Sequence, residues 1–97
     1  MSALTKLARG RECQVRLPGV CNFNAETTIL AHYRLAGLNG VGIKPPDLIG
    51  AHCCSACHAA VDGPSRTDFN REQLRLAFAE GVFRTQVIVI GLGKVRG

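Results

Sequence analysis

The chain has 97 residues, a formal net charge of +5 and 46% hydrophobic residues, which allows one domain but not a large core. A chain this small calls for an added staple, and its five cysteines can supply one. No export signal is visible, because Leu4 and Leu7 alternate with Lys6 and Arg9. The apolar run Val87 to Ile90 is far too short to span a membrane. A reducing cytoplasm is therefore expected, where clustered cysteines mean metal or redox chemistry rather than disulfides. Nine of the twelve basic residues are arginines, the side chain best matched to phosphate. Four thiolates and one zinc ion would lower the charge to about +3, which still suits a polyanion without demanding one.

In chain order, residues 1–9 read as an N-terminal arm that need not be ordered, and residues 1–97 as one domain. Cys13, the Pro18-Gly19 turn and Cys21 suggest a knuckle, and Thr27-Thr28-Ile29 a following strand. Residues 35–50, rich in glycine and carrying Pro45-Pro46, are expected to form a loop. A brief helix is expected over Cys57 to Val61, stopped near Gly63-Pro64. Thr67, Asp68 or Asn70 then caps a long helix reaching about Ile90, although the β-branched run at Val87 to Ile90 also allows a strand. On that helix Leu74, Ala77, Phe78, Val82, Thr85 and Val89 share one face. A second apolar stripe, Leu76, Phe83, Val87 and Ile90, is either wrapped by the N-terminal segment or the seam of a homodimer.

Cys54-Ser55-Ala56-Cys57 has the two-residue gap that brings two sulfurs onto one tetrahedral ion. Cys13 and Cys21, closed by the Pro18-Gly19 turn, make a looser pair. Together the four read as a structural zinc site of treble-clef type. The competing readings are a redox Cys-x-x-Cys motif, which alone leaves the other cysteines unexplained, and a set of ordinary buried thiols. Cys53 reads as a small buried residue, and His58 is a weaker candidate for the fourth ligand. His58 and Asp62, four apart on the short helix, can offer a nitrogen and an oxygen to a divalent cation, while an ordinary solvated contact is the default for such a pair.

Ala31-His32, a loop, and Cys54-x-x-Cys57-His58-x-x-x-Asp62 occur in an order that resembles the HNH, or ββα-metal, nucleases. More closely, Arg11-Glu12-Cys13, Arg16 to Asn22, Thr27 to Arg34, Gly40 to Asp47 and Cys54 to Gly63 resemble the YbcO-type phage and prophage nucleases. The resemblance spans roughly residues 10–90. It implies an α+β fold, a small zinc-stabilised ββα-metal domain with a long C-terminal helix, that cleaves DNA by metal-dependent phosphodiester hydrolysis. His32 would be the general base. His58 and Asp62 would hold a catalytic divalent ion such as Mg2+, Mn2+ or Zn2+, and Arg34 and Arg66 would contact phosphate. The chain departs from the HNH pattern at Ala31, where a second metal ligand is often found, and at the central asparagine, for which Asp47 is the nearest candidate. The alternative class is a non-catalytic zinc module that binds nucleic acid or another phage protein.

Overall fold

The computed structural model describes residues 3–33, 46–63 and 67–93. The first described element is a short helix, α1 (Ala3–Ala8). Six residues cannot sustain a helix alone, so packing holds it: Ala8 is fully buried and α1 lies against the first strand. Gly10, at φ +78, ends the turn in the left-handed region.

The centre is an antiparallel pair, β1 (Ile29–His32) and β2 (Gly50–Cys53). Ile29 faces Cys53, Leu30 faces His52, Ala31 faces Ala51 and His32 faces Gly50. The expected strand thus starts two residues later than Thr27, because Ala25–Thr27 form a 3-10 turn capped by the Asn24 side chain. The first strand's ladder continues past His32, where the Tyr33 N–H donates to the Ile49 carbonyl at 2.8 Å. All four residues of β2 are buried, so the strand is covered on both sides.

Helix α2 (Ser55–Val61) follows β2 directly. Its N-cap is Cys54, whose sulfur accepts from the Cys57 N–H at 3.3 Å, and the Ser55 N–H donates to the Thr27 hydroxyl at 3.2 Å. Both bonds satisfy donors that a helix start leaves unpaired. Helix α3 (Arg71–Gly91) begins with a capping box in which Asn70 and Gln73 exchange side-chain and backbone bonds. It stays helical through Val87 to Ile90, and so the strand reading of that run is set aside.

One face of α3 crosses β2 and buries Phe78, Gly81, Val82, Thr85 and Val89. The Thr85 hydroxyl accepts from the buried His52 backbone N–H at 2.9 Å and donates to the Gly81 carbonyl at 2.8 Å. Arg84 reaches back to the Gln14 carbonyl at 2.7 Å, fastening the helix to the cysteine knuckle. The second stripe is solvent-facing, with Leu76, Phe83, Val87 and Ile90 at 62, 64, 70 and 44% exposure, so the N-terminal segment does not wrap it. Among the described residues no helix is long and apolar enough to cross a membrane.

Candidate metal centre and adjoining cleft

Cys13, Cys21, Cys54 and Cys57 are brought together from two separate segments. Arg16 takes a left-handed conformation, φ 52, which lets its N–H turn onto the Cys13 sulfur at 3.5 Å. Gly19, φ +72, closes the Pro18–Val20 turn and returns the chain to Cys21. The second pair comes from the N-cap and first turn of α2. Asn22 ties the halves together by donating to the Ser55 hydroxyl at 3.1 Å.

All four sulfurs lie within 4.8 Å of one another and all four residues are buried. A tetrahedral zinc–thiolate site with bonds of about 2.3 Å has sulfur–sulfur edges of about 3.8 Å. The Cys21 and Cys54 sulfurs stand 3.8 Å apart, and every cysteine is a free thiol. Size, burial and donor chemistry therefore fit a structural zinc ion. His58 is not part of this group.

The sulfurs are electrostatically unequal. The neighbouring Cys53 and Cys57 thiols, by hydrogen bonding, hold Cys13 well below the ordinary thiol range. The bond it gives to Cys13, followed by burial, pushes Cys57 up. Burial pushes Cys21 up to about 11. Ionising all four sulfurs would crowd four negative charges into a buried space, which a coordinated divalent cation permits. Cys53 is fully buried, outside the four, and donates to Cys13 rather than joining the set.

At the other end of α2 from Cys54 lies an open cleft of about 300 Å³ that His32, Tyr33, Asp62 and Arg75 help to line. His32 ends β1, and its Nε2 lies 2.7 Å from the Asp47 carboxylate. Gly50 makes this pairing feasible, because a Cβ there would stand 2.8 Å from the Leu30 side chain and 3.1 Å from the Asp47 carbonyl. The Asp47–Ile49 turn can then fold tightly over the strand end. Asp62 caps the C-terminus of α2 and takes a 2.9 Å contact from His58 Nε2.

His32 and Asp62 thus share one cleft, and His58 joins through Asp62. Their donor atoms do not converge as the sulfurs do: among the described residues the cysteines are the one group of three or more such side chains placed to hold an ion. Ala31 is buried opposite Ala51 and contributes nothing there. Arg34 and Arg66 lie outside the described residues.

Three residues of interest escaped the sequence reading. Arg71 and Arg75 sit one turn apart at the start of α3, and Arg71 lines a hollow of about 370 Å³ that shares Asp62 and Arg75 with the cleft. Only the placement of α3 against α2 reveals them, although their i, i+4 spacing is visible. His52 is fully buried with both ring nitrogens unpartnered, and burial lowers its basicity. No motif signals it.

Fold and site together define a small α+β protein in which a buried four-cysteine centre braces a strand–strand–helix unit beside a histidine–carboxylate cleft. The family model described as "Putative nuclease YbcO" matches residues 2–94, and the chain belongs to that family. It is similar to "Putative nuclease YbcO" of Escherichia coli (strain K12) and "Putative nuclease ybcO" of Enterobacteria phage 82. Each is 54% identical over 97 residues, covering 99% of both chains. Among solved structures it is similar to "Structure of a putative bacteriophage protein from Escherichia coli str. K-12 substr. MG1655". The TM-score is 0.79 and the identity 47%, over 93% of this chain and 99% of that one.

Proposed function

We propose that the protein is a metal-dependent DNA endonuclease of HNH, or ββα-metal, type, with a structural zinc on Cys13, Cys21, Cys54 and Cys57. The observation that carries this reading is the pairing of His32 with Asp47 at one side of a cleft whose lining also includes Asp62. A ring that donates from Nε2 to the Asp47 carboxylate keeps its Nδ1 lone pair as a proton acceptor. His32 can then take a proton from the attacking water while Asp47 holds the tautomer and steadies the imidazolium. Asp47 so fills the role expected of the missing central asparagine. His58 and Asp62, on the facing helix, would hold a divalent cation such as Mg2+, Mn2+ or Zn2+. When bound, that cation would neutralise charge on the scissile phosphate and the leaving oxygen. Arg34 and Arg66 are assigned to phosphate contacts from their sequence positions alone.

The zinc centre acts by support. Cys54 and Cys57 set the start of α2, and α2 in turn sets where Asp62 meets the end of β1. Five free thiols fit a reducing compartment, here assigned as the cytoplasm. The exposed stripe on α3 supports a homodimer.

A second reading rests on a specific contact: the Asp62 carboxylate is already engaged by His58, and no third described ligand reaches them. On that reading the protein is a zinc module that binds nucleic acid, or another phage protein, without cutting. Cleavage assays with His32→Ala separate the two. The expected result is divalent-metal-dependent cutting by the wild type and a loss of about 10²–10⁴-fold in rate, with zinc content and DNA binding kept. Equal DNA binding by both proteins, with no cutting of single-stranded, duplex or branched DNA by either, would replace the enzyme with the binding module.

A further inference from the structure

The two arginines at the start of α3 have no part in the zinc centre or in the histidine–carboxylate pairs. We infer that Arg75, assisted by Arg71 one turn earlier, is the residue that anchors the phosphate backbone of a nucleic-acid strand in the cleft beside His32; this rests on the reading of that cleft as a nucleic-acid site.

The Arg75 guanidinium carbon lies 5.0 Å from the centre of the Tyr33 ring, a cation–π arrangement that orients an otherwise mobile side chain. Tyr33 is itself fixed. Its ring meets Phe78 edge-on at 5.1 Å and 76°, and its N–H is bonded to Ile49. It is also the chain neighbour of His32, so the platform that holds the guanidinium is continuous with the strand end that holds the candidate base. Arg75 lines both the cleft and the adjoining hollow, and Arg71 lines the hollow.

The charges make the case specific. Asp62 lines both spaces, yet neither arginine forms an ion pair among the described residues, whose two ion pairs are His32–Asp47 and His58–Asp62. Two guanidinium groups thus line spaces that hold a single carboxylate, Asp62, which is itself paired with His58. That distribution suits an anion with peripheral oxygens, and a planar guanidinium can grip a phosphate through two of them. Contacts of this kind fix a strand's position and carry no sequence information. The competing role for Arg75 is structural, a lid on the Tyr33 ring.

The test is fluorescence anisotropy on the zinc-loaded full chain carrying His32→Ala, without other divalent metal. The probes are labelled single-stranded and duplex oligonucleotides of unrelated sequence. Arg75→Gln should weaken binding by roughly fivefold for each probe alike, and reduce the salt slope by about 0.9 on duplex or about 0.7 on single strands. Arg75→Lys should keep the slope, since the charge remains. Unchanged affinity and slope in Arg75→Gln would overturn the inference, whether or not its melting temperature falls. A loss confined to one sequence would also overturn it, in favour of base contact. A wild type that binds but never cuts, with Arg75→Gln weakened as expected, would sink the nuclease reading and leave the anchor standing. A wild type that cuts, with Arg75→Gln cutting and binding equally well, would do the reverse. No binding to any probe would overturn both.

Discussion

Gly81 and Gly91 lie on the same helix, and the same substitution should act on them with opposite sign. A Cβ built on Gly81 would stand 2.8 Å from Val15 Cγ2, 3.1 Å from Val15 Cα and 3.2 Å from Val15 N. Rotating the valine relieves the first clash but not the other two, which involve backbone only two residues from Cys13. Alanine favours a helix interior over glycine by about 1 kcal/mol, whereas overpacking a tight contact costs about 1–3 kcal/mol. The clash should win, leaving Gly81→Ala destabilised by about 1 kcal/mol, or a fall of about 5 °C in a domain this size. At Gly91, the last helical residue, nothing lies within 4 Å, so Gly91→Ala should keep part of the propensity gain, less than the about 1 kcal/mol of a helix interior. Thermal melts of the zinc-loaded proteins measure both. Because the displaced backbone carries Cys13, Gly81→Ala should also release zinc to a chelator faster. Val15→Ala added to Gly81→Ala should restore only part of the loss. A Gly81→Ala protein that melts at or above the wild type would show that α3 does not seat against the knuckle as described.

The purified chain should carry about one zinc, and Cys57→Ser should lose both metal and fold; Cys53→Ser should keep the metal, because a hydroxyl can still donate to Cys13. Metal analysis finding no zinc in protein prepared without chelator would refute this. Phe23 is 83% exposed at φ 53, a backbone shape that costs an L residue about 1–2 kcal/mol, so Phe23→Gly should raise the melting temperature by a few degrees, and a fall would count against the strain. Phe83→Glu should leave the fold intact, since the ring is 64% exposed, and should turn a dimer into a monomer by light scattering. A wild-type monomer at high concentration would remove the seam reading.

What could be read in advance depended on how local its cause was. The four cysteines were legible because Cys54 and Cys57 have the short gap that a tetrahedral ion calls for and the Pro18-Gly19 turn closes the looser Cys13–Cys21 pair, and the structure brings the pairs within reach of one ion. The start of α3 was legible only to within a turn, because Thr67, Asp68 and Asn70 can each cap a helix, and the Asn70–Gln73 capping box selects the last of them; its core face followed from period 3.6. Strand β2 was not. Gly50-Ala51-His52-Cys53 is buried on both sides, so it lacks the alternation that marks a half-exposed strand, and His52 breaks any apolar run. Helix α1 is too short to announce itself without the surface it packs on. Asp47 lay off the expected offset, and only the turn over Gly50 brings it to His32.

The same distinction separates the two candidate sites. The cysteine centre is closed by residues paired along the chain, so its geometry can be anticipated and its chemistry named from donor type alone. The cleft is assembled from the end of β1, the end of α2 and the start of α3, and each contributes one or two groups whose meaning depends on the others. His58 and Asp62 illustrate this. Their 2.9 Å contact is what any such i, i+4 pair on an exposed helix end would make, and only Asp62's place across the cleft from His32 distinguishes it from a surface interaction. The proposed zinc site and the proposed cleavage site are therefore built from separate residues and can be tested apart. The centre can hold the strand–strand–helix unit in shape whether or not the cleft beside it takes a second ion, which is why the His32→Ala experiment must read zinc content, binding and cutting on the same protein.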